Sequence, residues 1–444
     1  MTTQEYIKQH RNDDVYRLAL AKTPEGVDLQ YALQQISAYQ ILTKKVPSWA
    51  ECDELIFPRQ LSLEQSSSEL TARYKAQLIR DFMGNQPFTH IDLTGGMGID
   101  CYFIAQHTKK SHYVELNPEL CQIARHNFAH LNSNISVHST TAEEFLNQST
   151  DYRVQITDDR VQITDNRAQM TDNRVQITDY RLETTDNSSL LIPHSSFLIY
   201  IDPARRGDHG QKLVSIADCQ PNVIELLPQM FELTDKVVVK LSPMLDITRA
   251  INELPHIEKL YVISVNNECK ELLLFINKKY NAETQIHAIN LKSTINNQQS
   301  TDNPIPFSGF ISQELALSLS YAHEVGKYLY EPYAAHLKSG LYKTLAEKYN
   351  VKKLHQHSHL YTSTELNNDF PGRKFEVKEL VPFDKKSAKT LFKSLKQANL
   401  TTRNFPLTVS ELRTQYKIKD GGETYIFATT LHDDSKVLIV CQKA

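Results

Sequence analysis

One glycine-rich turn and three acidic residues have types and spacing suited to holding a nucleotide-like ligand. Residues 91–100, IDLTGGMGID, run Asp92-x-Thr94-Gly95-Gly96-x-Gly98, with an acidic residue where a strand would end. Glycines at such a turn let the backbone approach a ligand closely. Glu115 and Glu143 follow at the ends of two later strand-like segments. Further on, YIDPARRG places Asp202, Pro203, Ala204, Arg205 and Arg206 just past another strand. A carboxylate or carbonyl acceptor there can orient an amine, and an arginine can grip a phosphate or stack on a base.

The ligand can be narrowed from charge. A dinucleotide fingerprint is G-x-G-x-x-G, and this run has no glycine at its third place. A carboxylate at Asp92 would repel a pyrophosphate. S-adenosylmethionine has no phosphate; it carries a sulfonium, an ammonium and a carboxylate, and an acidic entry with close backbone approach suits it better. Glu115 is placed to accept both ribose hydroxyls, as acidic residues at this position do in doubly wound sheets. Glu143 is placed near the adenine amino group. Asn117 joins this set as the cap of the helix that follows Glu115, with Pro118 in its first turn.

These residues need a frame. From Pro87 onward short strands alternate with helices: FTHIDL, SHYVEL, ISVHS, FLIYIDP, KVVVKLSP, LYVISV and ELLLFI are strands. NPELCQIARHNFAHL is a helix, and Thr141 with Glu144 has capping-box spacing for another. The series predicts a Rossmann-like, mostly parallel α/β sheet with ligands at the carboxyl ends of its strands. Residues 1–82 read as helical from three- and four-residue apolar spacing. FISQELALSLSYAHEVGKYL after residue 308 reads as helical too, and the chain closes with a hairpin, TYIFATT and KVLIVCQ around LHDDS.

The segment 150–190 repeats seven residues, as in DDRVQIT and DNRVQIT. Its apolar positions lie two and then five apart, which excludes a coiled coil. A dispensable, disordered surface insertion is expected, and a long loop costs a sheet little extra closure entropy. No apolar run approaches the ~20 residues of a membrane helix. The N-terminus carries charges where a secretion signal needs an apolar stretch. The 6 Cys lack CxxC spacing, so neither disulfide framework nor zinc ribbon is expected, and the setting reads as cytoplasmic. Pro371 to Ala444 carries 14 Lys/Arg against 8 Asp/Glu, a net +6, while the rest is acidic. A basic tail on an acidic body favours a nucleic-acid partner.

The chain resembles the class I S-adenosylmethionine-dependent methyltransferases of bacteria that end in a THUMP-like domain. The resemblance rests on EQSSSELTARYKA (residues 64–76), IDLTGGMGID, YVELNP, YIDPARRG, VKLSPMLDI, YLYEP (residues 328–332), TTRNFPL and KDGGETYIF. It spans nearly the whole chain outside the repeat. Thr94 departs from it, since glycine is usual there. The resemblance implies a helical domain at 1–82, a methyltransferase domain at 83–300, a small ferredoxin-like α+β module at 326–371 and a THUMP-like domain at 372–444. It also implies RNA as the acceptor, with Arg403, Phe405, Arg413 and Lys417 as candidates for gripping it.

Relatives that methylate bases often place Asn/Asp-Pro-Pro-aromatic where this chain has Asp202-Pro203-Ala204-Arg205. Methylation of a pyrimidine carbon usually needs a thiolate. Cys219, expected in or before the next helix, is badly placed for that, so methylation of a base nitrogen in rRNA or tRNA is favoured. The other readings are an idle cofactor-retaining RNA-binding protein, or a methyltransferase for a protein or small molecule. His355, His357 and His359 alternate and are expected on one face of a polar strand; no metal is expected.

Overall fold

The computed structural model describes residues 1–58, 63, 66–149, 197–205, 215–293 and 305–444. The heptad-like repeat at 150–190 and Arg206 lie outside these. The chain divides into two compact units, one built mainly from Met1–Glu258, the other from Lys259–Leu273, Glu283–Ser293 and Ser300–Ala444.

In the first unit five parallel strands carry the site. They are β1 (Thr89–Asp92), β2 (Lys110–Glu115), β3 (Ile135–Ser139), β4 (Phe197–Ile201) and β7 (Lys236–Leu241). Two short strands, β5 (Ala204–Arg205) and β6 (Cys219–Gln220), pair with each other instead. The order is β3-β2-β1-β4-β7, every pairing parallel. It reverses direction between β1 and β4, and ligands bind at such a reversal, outside the carboxyl ends of the strands. Val237, Val238 and Val239 are fully buried, as are Leu198 and Ile199. Continuous apolar runs like these mark a parallel sheet covered on both faces.

The helices begin where the sequence caps them. Thr2 and Glu5 form a reciprocal capping box on Thr3–His10, and Ser68 caps Glu69–Phe82. Asn117 accepts from Glu119 N–H at 2.9 Å and caps Pro118–His130, with Pro118 in the first turn. Glu144 N–H donates to Thr141 Oγ1 at 3.1 Å.

The second unit contains a seven-stranded sheet, Lys352–Lys353, Tyr361–Ser363, Tyr328–Pro332, Gly372–Pro382, Lys436–Lys443, Tyr425–Thr430 and Asn399–Arg403 in spatial order. Period two decides which face each residue buries. Ile426 and Ala428 join a core with Leu391, Phe392 and Leu412 of two helices, while Phe427 between them joins Leu329 and Phe375 in a separate core.

Two expectations fail locally. The helix predicted after residue 308 covers only Ile311–Ala316. Beyond it Leu317 and Leu319 are half-buried while Ser318 and Ser320 are exposed, a two-residue pattern that suits extended chain. The three histidines are in a turn between short strands, not on one face of a strand. His359 has a positive φ of 51° and stacks on Tyr342 at 3.8 Å between ring centroids. Cys219 sits in β6 opposite Arg205, on the approach to the helix Val223–Leu233 as expected.

Candidate functional site

β1 ends in the glycine turn, and its geometry explains the glycines. A Cβ on Gly95 would lie 2.2 Å from the Tyr113 ring. Gly98 has φ 78° and caps the helix Ile99–Ala105. Only glycine enters that region at no steric cost. Tyr113 OH donates to the Gly96 carbonyl at 2.6 Å, fixing the turn from β2.

Glu115, at the end of β2, is aimed by two backbone donors. Gly96 N–H reaches its Oε2 at 3.0 Å and Asn117 N–H its Oε1 at 2.9 Å. Each carboxylate oxygen keeps lone pairs for a further donor, such as a sugar hydroxyl. Asp92 is 1% exposed, and Thr94 N–H donates to its Oδ1 at 3.0 Å. Burial raises its carboxyl to about 8; the Thr94 hydrogen bond offsets part of this, and Asp100 and Asp202 add to it. A buried carboxylate with this environment gains from a cation.

Thr94 has its own task. Asp202 N–H donates to its hydroxyl at 2.6 Å, tying the glycine turn to the end of β4. A glycine in place of Thr94 would lack that tie.

A cavity of about 510 Å³ gathers Asp92, Thr94, Gly95, Gly96, Gly98, Glu115, Glu143 and Asp202. The volume falls within the range of small-molecule sites. Leu116, Leu120 and Ala142 also line it, and Leu116 is 64% exposed, an apolar wall open to a flat ring. The donor set therefore fits S-adenosylmethionine: an acid for a cation, an acid for a diol, apolar walls for a base. Asn117 and Pro203 are outside the lining; Asn117 is spent on its helix cap. Cys219 is buried at 3% exposure and is also outside the lining.

Sequence reasoning passed over five polar residues that meet here. Lys240 of β7 pairs with Asp202 and lies 3.5 Å from Asp100 Oδ2. Lys75, fully buried, is 3.0 Å from Asp100. Ser67 Oγ and Tyr200 OH donate to Asp100 Oδ2 at 2.8 and 2.9 Å. Burial alone would raise the Asp100 carboxyl, but Lys75 and Lys240 beside it hold it well below the usual carboxylate range. The available signal was register: Ile201 pairs with Val239, so the next residues, Asp202 and Lys240, stand side by side.

In the second unit, Glu331 is 3% exposed and holds two half-exposed arginines. Arg403 reaches its Oε1 at 2.9 Å, and Arg373 donates to its Oε2 through Nε at 2.7 Å. Phe405 packs on Phe383 at 4.7 Å between centroids, beside the helical core. Arg413 braces its own turn through Asp420 and the Ala398 carbonyl. Lys417 is exposed.

A THUMP domain-like family matches residues 372–443, and a ferredoxin-like domain family matches residues 328–371. Over 100% of this chain and 97% of the other, the fold is similar to a crystal structure from Porphyromonas gingivalis W83, provisionally described as a methyltransferase, at 32% identity and TM-score 0.79. A class I S-adenosylmethionine-dependent methyltransferase structure from Listeria monocytogenes matches at 10% identity over 66% of this chain and 93% of that one, TM-score 0.34. One from Agrobacterium tumefaciens matches at 13% over 48% and 62%, TM-score 0.28. These two likenesses are too slight to carry weight beside the first. No curated protein matches.

Proposed function

The chain belongs to the class I S-adenosylmethionine-dependent methyltransferases that end in a THUMP-like domain, and from that membership we propose that it methylates a base nitrogen in RNA. Its cofactor is S-adenosylmethionine, which when bound supplies an activated methyl group. Asp92 would hold the ammonium and Glu115 the ribose hydroxyls, with Glu143 at the adenine end. The backbone of Gly95, Gly96 and Gly98 allows the close approach.

The observation that carries the acceptor reading is Asp202. Its carboxylate is 37% exposed on the side chain and shares the cavity with the glycine turn and Glu115. It can accept a hydrogen bond from an acceptor N–H and so hold the nitrogen in line for transfer. Positioning of this kind supplies most of the acceleration when the donor is already activated. Arg205 and Arg206 follow it as the groups assigned to a phosphate or a base.

RNA as the partner is supported by the +6 C-terminal segment and by the domain that segment matches. Lys417 offers exposed charge there, whereas Arg403 is paired with Glu331 and Phe405 and Arg413 are engaged within the unit. The test is transfer of a labelled methyl group into RNA. Asp202→Ala is expected to abolish it while S-adenosylhomocysteine still binds within about twofold. Full transfer by the variant would remove Asp202 from the reaction.

A further inference from the structure

We propose that Lys240 is part of the acceptor site and that, with Asp202, it selects a nucleobase edge carrying an amine beside a hydrogen-bond acceptor. The inference rests on the RNA reading and narrows it to a substrate class, a base with an exocyclic amine: adenine N6, cytosine N4 or guanine N2.

The starting point is a lysine held between two carboxylates. Asp100 already has Lys75 at 3.0 Å, with hydrogen bonds from Ser67 and Tyr200. Lys75 is fully buried and is the nearer ammonium, while Lys240 lies 3.5 Å away. Asp202 is exposed enough to be solvated, and a solvated carboxylate needs no counter-ion. Yet Lys240 stands between the two, paired to Asp202 and 3.4 Å from Ser67 Oγ.

A cation here also carries a cost. The same cavity takes a cofactor bearing a sulfonium and an ammonium, and like charges in a partly desolvated site repel. Asp100 and Asp202 offset that repulsion, so the ammonium can stay at the rim. A group kept at such a place needs a task directed at something other than the cofactor.

The geometry supplies one. β4 and β7 are adjacent and in register, so the Asp202 carboxylate and the Lys240 ammonium are presented side by side, about 5 Å apart at the backbone. One accepts hydrogen bonds and the other only donates. The complement is a donor next to an acceptor. Adenine offers this as its amine beside a ring nitrogen, and cytosine and guanine do likewise. A ribose hydroxyl or a pyrimidine carbon does not. Asp202 then orients the reacting amine, and Lys240 fixes the neighbouring ring atom and thereby the register of the base.

The test uses the full chain, methyl-tritiated S-adenosylmethionine and total RNA from cells lacking the gene, with the labelled nucleosides identified by mass spectrometry. The expected label is on an exocyclic amine, of adenine, cytosine or guanine. Lys240→Met should lower kcat/KM for RNA on the order of ten- to a hundredfold, with S-adenosylhomocysteine affinity within about twofold. Lys240→Arg should recover much of the loss. If Lys240→Met does not fold, Lys240→Gln, which keeps a donor without the charge, carries the same comparison.

Label on a ribose oxygen or ring carbon overturns the inference, as does unchanged kcat/KM in the variant. A parallel loss of S-adenosylhomocysteine affinity at unchanged Tm assigns Lys240 to the cofactor and overturns it too. A wild-type chain that labels no RNA refutes the RNA reading itself, and the inference falls with it.

Discussion

Binding of the cofactor should be coupled to a proton at Asp92. In the free protein burial raises this carboxyl to about 8, so it is mostly protonated near neutrality. An ammonium seated against it favours the charged form and draws the proton off. With a free-state value of about 8, roughly one carboxylate in a hundred is ionised at pH 6 and about one in eleven at pH 7. Affinity for S-adenosylhomocysteine, which keeps the ammonium and lacks the methyl, should then rise about ninefold between those pH values. About 0.9 proton should be released per ligand bound at pH 7. The stability of the free protein runs the other way. A carboxyl raised on folding contributes most below its unfolded value near 4, and that contribution fades as pH rises toward 8. Calorimetric titration in two buffers of different ionisation enthalpy measures the released proton directly. Asp92→Asn should weaken binding and flatten its pH dependence between pH 6 and 7. A wild-type affinity flat over that interval, or a slope that survives in the variant, would refute the linkage.

Gly95→Ala should lose about 1–3 kcal/mol by urea unfolding, because its new methyl group meets the Tyr113 ring at 2.2 Å. It should also weaken cofactor binding, since Tyr113 anchors the Gly96 carbonyl. Lys75→Met should cost about 3–5 kcal/mol, the penalty for leaving one member of a buried ion pair without its partner. Lys240, 3.5 Å from Asp100, would recover part of it, which the double variant with Lys240→Met would reveal as a larger combined loss.

Much of the site was legible because it lies at strand ends, and strand ends show in the sequence. β1, β2 and β4 are short strands closed or followed by Asp92, Glu115 and Asp202, so all three acids could be placed at one edge of a sheet before the fold was known. The cap on Pro118–His130 was legible for a local reason, since Asn117 bonds only two residues ahead. The charged cluster was not legible. Ser67, Lys75, Asp100 and Lys240 meet from the residue before a helix cap, a helix interior, the helix after the glycine turn and a strand. No local periodicity encodes those separations. Asp202 beside Lys240 was recoverable only from the pairing of β4 with β7.

One misplacement has a simple cause. The alternating histidines have strand spacing, but the positive φ at His359 turns the chain between them and the next strand. Thr94 shows the opposite case, a departure from the usual glycine that the structure turns into a tie to Asp202.

The most direct measurement is calorimetric titration of the pure chain with S-adenosylhomocysteine, beside Glu115→Ala. Saturable binding at one site per chain, weakened at least tenfold when the ribose-holding carboxylate is removed, is the predicted result. No binding by the wild type, or equal binding by the variant, would contradict a cofactor lying across the carboxyl edge of β1 and β2.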